Sequence, residues 1–174
     1  HVLLEEHTPK GLGNHCAIVT ECKKELTERF KTFLEDIGYV GFSNFDIKYD
    51  ARTDTYRAFE INTRQGRSNY YVTASGNNIA RLIVEDRITG NIMGDCAVNG
   101  NEIFWSYIPD CVVKKYVSAD LVRHAMNLKK CGRKYSSLEY SPDLRFNPRR
   151  RLFALLHKYH HIKKFKTYYK VEKQ

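Results

Sequence analysis

The chain has 174 residues, 42% of them apolar and 28% charged, a balance near the globular average that excludes wholesale disorder and leaves room for a hydrophobic core. Five scattered cysteines (Cys16, Cys22, Cys96, Cys111, Cys131) form no CxxC pair and have no matching histidine spacing, which argues against a disulfide framework or a zinc site and fits a reducing cytoplasm. The net charge of +9 resides in the tail: residues 145 to 174 hold ten of the 29 lysines and arginines but one of the 20 acids, Glu172.

Val2-Leu3-Leu4 and Ala17-Ile18-Val19 read as strands, joined by a turn over Thr8 to Asn14 that contains Pro9, Gly11 and Gly13. From Thr20 a new element starts, and Leu26, Phe30, Phe33, Leu34 and Ile37 recur at helical spacing up to Gly38, a natural stop. Two strands follow, Tyr39 to Tyr49 and Tyr56 to Asn62, around the polar turn Asp50 to Asp54, which together read as a β-hairpin. A loop from Thr63 to Asn69 leads into a helix-compatible stretch, Tyr71 to Ile88. Asn91 to Ile108 reads as a short β region, in which Trp105 and Tyr107 form a packing patch, and Cys111 to Met126 reads as a helix. Asp143 to Pro148 reads as a linker. No run approaches the ~20 apolar residues that span a bilayer, and the opening HVLLEEHTPKG lacks signal-peptide character.

The chemistry concentrates on the hairpin. Asp46 lies on its first strand, and Glu60 and Asn62, two apart on the second, share a face because side chains alternate. Two carboxylates and an amide oxygen make a hard-oxygen set suited to magnesium held together with phosphates. Arg64 shares that side if the strand continues, as a guanidinium for developing negative charge. Cross-strand ion pairs on a solvated sheet face are the alternative reading of the same residues.

The run DIGYVGFSNFDIKYD, then a turn, then FEINTRQGRSN, resembles the C-terminal catalytic part of ATP-grasp enzymes such as biotin carboxylase and carbamoyl phosphate synthetase. In that superfamily a metal carboxylate on one strand precedes Glu-x-Asn-x-Arg on the next. The resemblance covers residues 1 to 84. It implies an α+β subdomain, an antiparallel sheet with packed helices, over residues 1 to 90; outside the match, the residues themselves read as an accessory α+β segment (91 to 146) and a basic amphipathic helix (147 to 174), a mainly helical extension. The resemblance also implies ATP and magnesium, or manganese in its place, as cofactors, with Asp46, Glu60 and Asn62 as metal ligands and Arg64 as the catalytic cation. The texture of LLEEHTPKGLGNH and NTRQGRSNYYVT is similar to carboxylate-amine ligases of bacterial cell-wall synthesis, of the D-aspartate ligase type. That likeness implies small-molecule carboxylate and amine substrates, with Arg67 and Ser68 binding a substrate carboxylate and His15 near the nucleotide; Lys10, in its Pro-Lys-Gly turn, and Lys48, by strand parity, are candidate phosphate contacts, with a surface charge at Arg67, a packed His15 and a solvated Lys48 as the alternative readings. Other ATP-grasp chemistry, carbamoyl phosphate synthesis or carboxylation, and a non-catalytic module are the rival readings. ATP-grasp enzymes carry an N-terminal domain and a lid ahead of these motifs, so the chain reads as one part of such an enzyme.

In the tail, Leu152, Leu155, Leu156, Tyr159, Ile162 and Phe165 recur at helical spacing among Arg149, Arg150, Arg151, Lys158, Lys163, Lys164 and Lys166. This predicts a basic amphipathic helix that either docks on the core by its apolar stripe or attracts an anionic partner: a membrane surface, a nucleotide-linked precursor or nucleic acid. No signature of sequence-specific nucleic-acid recognition accompanies it.

Overall fold

A computed structural model of the chain describes residues 1–9, 11–90, 101–137 and 146–169. It is a mixed α and β structure in two units, His1–Cys22 with Tyr70–Gln174, and Lys23–Asn69.

In the first unit, strands β1 (Val2–Thr8) and β2 (Gly11–Val19) form an antiparallel hairpin. Thr8 and Gly11 are already cross-strand partners, so pairing runs further into the Gly-rich segment than its turn-forming residues predict. Gly13, at φ +70°, takes up the left-handed backbone there without ending the strand. β2 then pairs antiparallel with β5 (Phe104–Ser106), which pairs parallel with β6 (Lys134–Tyr135). Asn91 to Gly100, part of the expected β region, lie outside the described residues.

Alternation along these strands feeds two apolar clusters. Val19 and Phe104 join Leu4, Cys16, Val112, Val113, Ala125, Leu128 and Phe165, whereas Ile18 and Trp105 join Ile103, with Tyr70, Tyr71 and Ala74 against them. Trp105 is thus core, as its aromatic patch predicts. The last helix, α6 (Pro148–Tyr168), starts on a capping interaction, the Asn147 side chain accepting from the Arg150 amide, with Pro148 in its first turn.

Four expected boundaries shift, one of them in the second unit, where the strand expected from Tyr39 starts at Asn44. Thr20 starts no helix: its hydroxyl donates to the Asn101 carbonyl and accepts from the Ile103 amide, which fastens the end of β2 to the chain beside β5. The stretch from Tyr71 to Ile88 is two helices, α2 (Tyr70–Ala74) and α3 (Ile79–Val84), followed by a π-helical turn, Glu85–Thr89. Ser75-Gly76-Asn77-Asn78 divides them, Gly76 at φ +120° and Asn78 capping α3 through the Arg81 amide. Likewise Cys111 to Met126 divides into α4 (Asp110–Tyr116) and α5 (Ala119–Lys130), because Val117 and Ser118 are extended.

The second unit is simpler. Helix α1 (Lys24–Asp36) ends on Gly38 at φ +64°, whose amide donates to the Glu35 carbonyl, and the hairpin β3 (Asn44–Asp50) with β4 (Thr55–Asn62) follows.

Candidate functional site

The hairpin of the second unit has two unlike faces. On one, Phe45 stacks on Phe30 of α1 with ring centroids 4.2 Å apart, and Phe33 meets the same ring edge-on at 6.4 Å. Leu26, Phe45, Tyr56, Ala58 and Ile61 line the space beneath the helix. Helical spacing on α1 and two-residue alternation on β3 therefore meet on this face, and the polar residues of the strands occupy the other.

Register decides what the polar face holds. Asp46 is the cross-strand partner of Glu60, and Asn44 is the partner of Asn62. Residues directly opposite in an antiparallel ladder project to the same side, so these four side chains form one two-by-two patch. The Asn44 side-chain amide donates to Asp46 Oδ1 at 3.1 Å, which orients the carboxylate within the patch. The ion pairs of a solvated strand occur at the far end of the hairpin, where Arg52 and Arg57 meet Asp50. A β-bulge separates the two ends: Asp46 pairs with Glu60 but Ile47 with Ala58, which leaves Phe59 over.

Asn44 escaped the reading of the sequence, although it stands two residues before Asp46 on the same strand. The alternation that linked Glu60 to Asn62 applies equally to it.

For Arg64 the strand does not continue. β4 ends at Asn62, so strand alternation does not carry Arg64 onto the polar face; its Nη1 donates instead to the carbonyl of Gln65, at 3.1 Å, in an exposed bend. The loop beyond returns toward the patch: a Cβ built on Gly66 would lie 3.2 Å from Asn44 Oδ1. Asn69 closes this loop by donating to Gln65 Oε1. Arg67, exposed, and Ser68, half-buried, occupy the turn before α2. Lys48, exposed on β3, keeps the side of Asp46 by alternation and faces Arg57 across the ladder. His15 stands on β2 in the first unit, opposite Glu5, with Nε2 3.6 Å from Glu5 Oε1. Lys10 lies outside the described residues.

Among the described residues, no group of three or more His, Cys, Asp or Glu side chains is placed to hold a metal. The hairpin patch, with two carboxylates and two amides, is a different donor set. Magnesium dehydrates reluctantly and takes one or two protein carboxylates together with phosphate oxygens and water, so this set fits a cation that arrives with phosphates.

A second polar cluster, in the first unit, had no signal in the sequence. Glu6, Tyr107, His157, His160, His161 and Lys164 line a cavity of about 380 Å³. Burial pushes the Glu6 carboxyl up, but bonds from Lys164 and Thr8 outweigh it and hold the carboxyl below its ordinary value. Burial, then the neighbouring His157 and Lys164, lowers His161 to about 4. Tyr107 hydrogen bonds to Cys16, whose thiol burial pushes up to about 11, so this cysteine is an inert core residue.

No helix among the described residues is long and apolar enough to cross a membrane. No family model matches the chain. No solved structure matches it. Over 177 aligned positions that cover 99% of the chain, it is 33% identical to D-aspartate ligase of Enterococcus faecium (strain Aus0004). It spans 42% of that protein's length, so nearly the whole chain is similar to part of a ligase.

Proposed function

We propose that the chain is the catalytic C-terminal part of an ATP- and magnesium-dependent carboxylate-amine ligase of the ATP-grasp type, acting through an acyl phosphate intermediate. Residues 1 to 90 form the catalytic subdomain in this reading, and an amino acid, D-aspartate first among candidates, is joined to a cell-wall precursor. The observation that carries it is the Asp46–Glu60 rung, flanked by Asn44 and Asn62 on the face opposite α1. Similarity to a D-aspartate ligase along nearly the whole chain supports the same reading.

Each residue has a stated part. Asp46 and Glu60 present carboxylate oxygens to the cation, Asn62 adds an amide oxygen, and Asn44 holds Asp46 in place. Magnesium, or manganese, supplies charge neutralisation on the ATP phosphates when bound. Arg64, exposed in its bend, is free of the ladder and turns from the Gln65 carbonyl toward the transferred phosphoryl group. Arg67 and Ser68 hold the substrate carboxylate, Arg67 by its two-pronged guanidinium. Lys48, on the polar face of the hairpin, serves the nucleotide phosphates. No covalent nucleophile is needed; positioning and charge neutralisation carry the acceleration.

The test is ADP release by the intact protein, with magnesium, ATP, D-aspartate or another amino acid, and a peptide acceptor. Turnover that requires all four components, and falls about a hundredfold or more in Glu60→Gln, supports the proposal. Unchanged turnover in Glu60→Gln at saturating magnesium overturns the assignment of the site. ADP release indifferent to every amine overturns the reaction class.

A further inference from the structure

Helix α6 docks by only the end of the stripe its sequence displays: Phe165 is buried in the core and Ile162 packs against it, whereas the leucines and Tyr159 do not. Ala154, His161 and Phe165 are its buried residues, with His157 half-buried in the same row, at i, i+3, i+7 and i+11. This row packs under Tyr107, which meets His161 edge-on at 5.1 Å, and under Tyr116, 5.6 Å from Phe165. The leucine stripe points the other way. Leu152 is 57% exposed, Leu155 63%, Leu156 49% and Tyr159 63%, at i, i+3, i+4 and i+7 on the outward face. Along the same line the helix continues with the exposed Lys163 and Lys166, and the exposed Arg149 and Arg150 stand at its start beside Phe146, itself 87% exposed.

We propose that this outward face of α6 is a docking surface for an anionic lipid bilayer, its leucines entering the headgroup boundary and its cations pairing with lipid phosphates. Large apolar side chains exposed over two turns favour leaving water, and the lysines that follow select a negatively charged boundary. Nucleic acid would engage the cations but leave the leucines wet. A second copy of the chain would bring two surfaces of one sign together, because residues 145 to 174 carry the whole net charge of +9. An anionic bilayer satisfies both halves of the face. The inference stands apart from the ligase reading and concerns none of its site residues.

Co-sedimentation with phosphatidylcholine vesicles, with and without phosphatidylglycerol, tests it on the chain as it stands. Binding to the phosphatidylglycerol vesicles at low salt is expected, falling about tenfold or more in 1 M salt, where screening acts within about 3 Å. Leu155→Ser with Leu156→Ser, and separately Lys163→Glu with Lys166→Glu, are each expected to lower partitioning about tenfold. Both pairs are exposed, so the urea midpoint stays unchanged and separates lost docking from lost folding. Equal binding to both vesicle types at low salt overturns the proposal. So does a dimer in solution that the serine pair dissolves while vesicle binding persists, since the face then joins two copies.

Discussion

Lys164, on the last helix, pairs with the buried carboxylate of Glu6 on the first strand, and Thr8 donates a second hydrogen bond to the same oxygen. The partners differ in exposure, 8% for the Glu6 side chain and 32% for Lys164, so breaking the pair is asymmetric. Lys164→Met strands the more buried charge and is expected to cost about 3 kcal/mol; Glu6→Gln leaves a half-solvated ammonium and should cost about 1–2 kcal/mol. Urea unfolding of both variants measures the order. Equal losses would mean that the carboxylate is better hydrated than its burial indicates.

Acid should weaken the first unit through His161. Its pKa falls from 6.5 to about 4 on folding, chiefly by burial, and the groups around it are His157, His160, Lys164, Glu6 and Tyr107. Between those values the unfolded chain binds the proton and the native state does not. The contribution is therefore complete above about pH 6.5 and is lost as pH falls toward 4, on the order of 3 kcal/mol in all. His157, lowered in the same direction, adds to this slope. His161→Gln should be less stable than the parent at pH 7 yet lose less between pH 7 and 5. Parallel pH profiles for the two proteins would remove His161 as the cause.

At the hairpin patch, function and stability should separate. Asp46→Asn preserves shape and is expected to lower turnover of the intact enzyme about a hundredfold, with a change in unfolding free energy within about 0.5 kcal/mol. Asn44→Ala removes only the bond that orients Asp46, so the magnesium concentration for half-maximal rate should rise about tenfold while the saturated rate is largely retained. A magnesium titration of both variants distinguishes ligand from support.

Gly38 ends α1 in the left-handed region and donates its amide to Glu35. Gly38→Ala should cost the second unit about 1 kcal/mol with no steric clash, because nothing lies within 4 Å of the added Cβ. Gly11→Ala is a different case: its Cβ would fall 2.4 Å from Glu6 Oε1, a carboxylate already held by Lys164. About 2 kcal/mol is expected there, and it should shrink in a Glu6→Ala background.

The legible parts of the molecule were those set by local period. The α1 stripe, the Gly38 stop, the hairpin and the helical character of the tail all follow from spacing over short stretches. What escaped depends on partners far away in sequence. Thr20 has a capping hydroxyl, and only its pairing with Ile103, 83 residues on, turns it into a strand clasp. On α6 the leucines advertise a core face, yet His157 and His161 dock, since imidazoles with lowered proton affinity pack as neutral rings against Tyr107. At the candidate site, residue types and parity were readable, whereas the end of β4 before Arg64 and the support of Asp46 by Asn44 belong to tertiary detail.

Phe165 shares one cluster with Leu4 and Cys16, while the residues from Lys23 to Asn69 form a unit of their own. On a ribosome the two units therefore mature at different moments. The helix and hairpin of the second unit find their partners within a short stretch of chain. β1 and β2 bury their apolar faces against partners made later, α2, β5, α4 and α5 in turn, and the cluster around Leu4 and Cys16 is completed only by Phe165 of α6. During that interval the hairpin of β1 and β2 offers uncovered apolar side chains to aggregation or to chaperones.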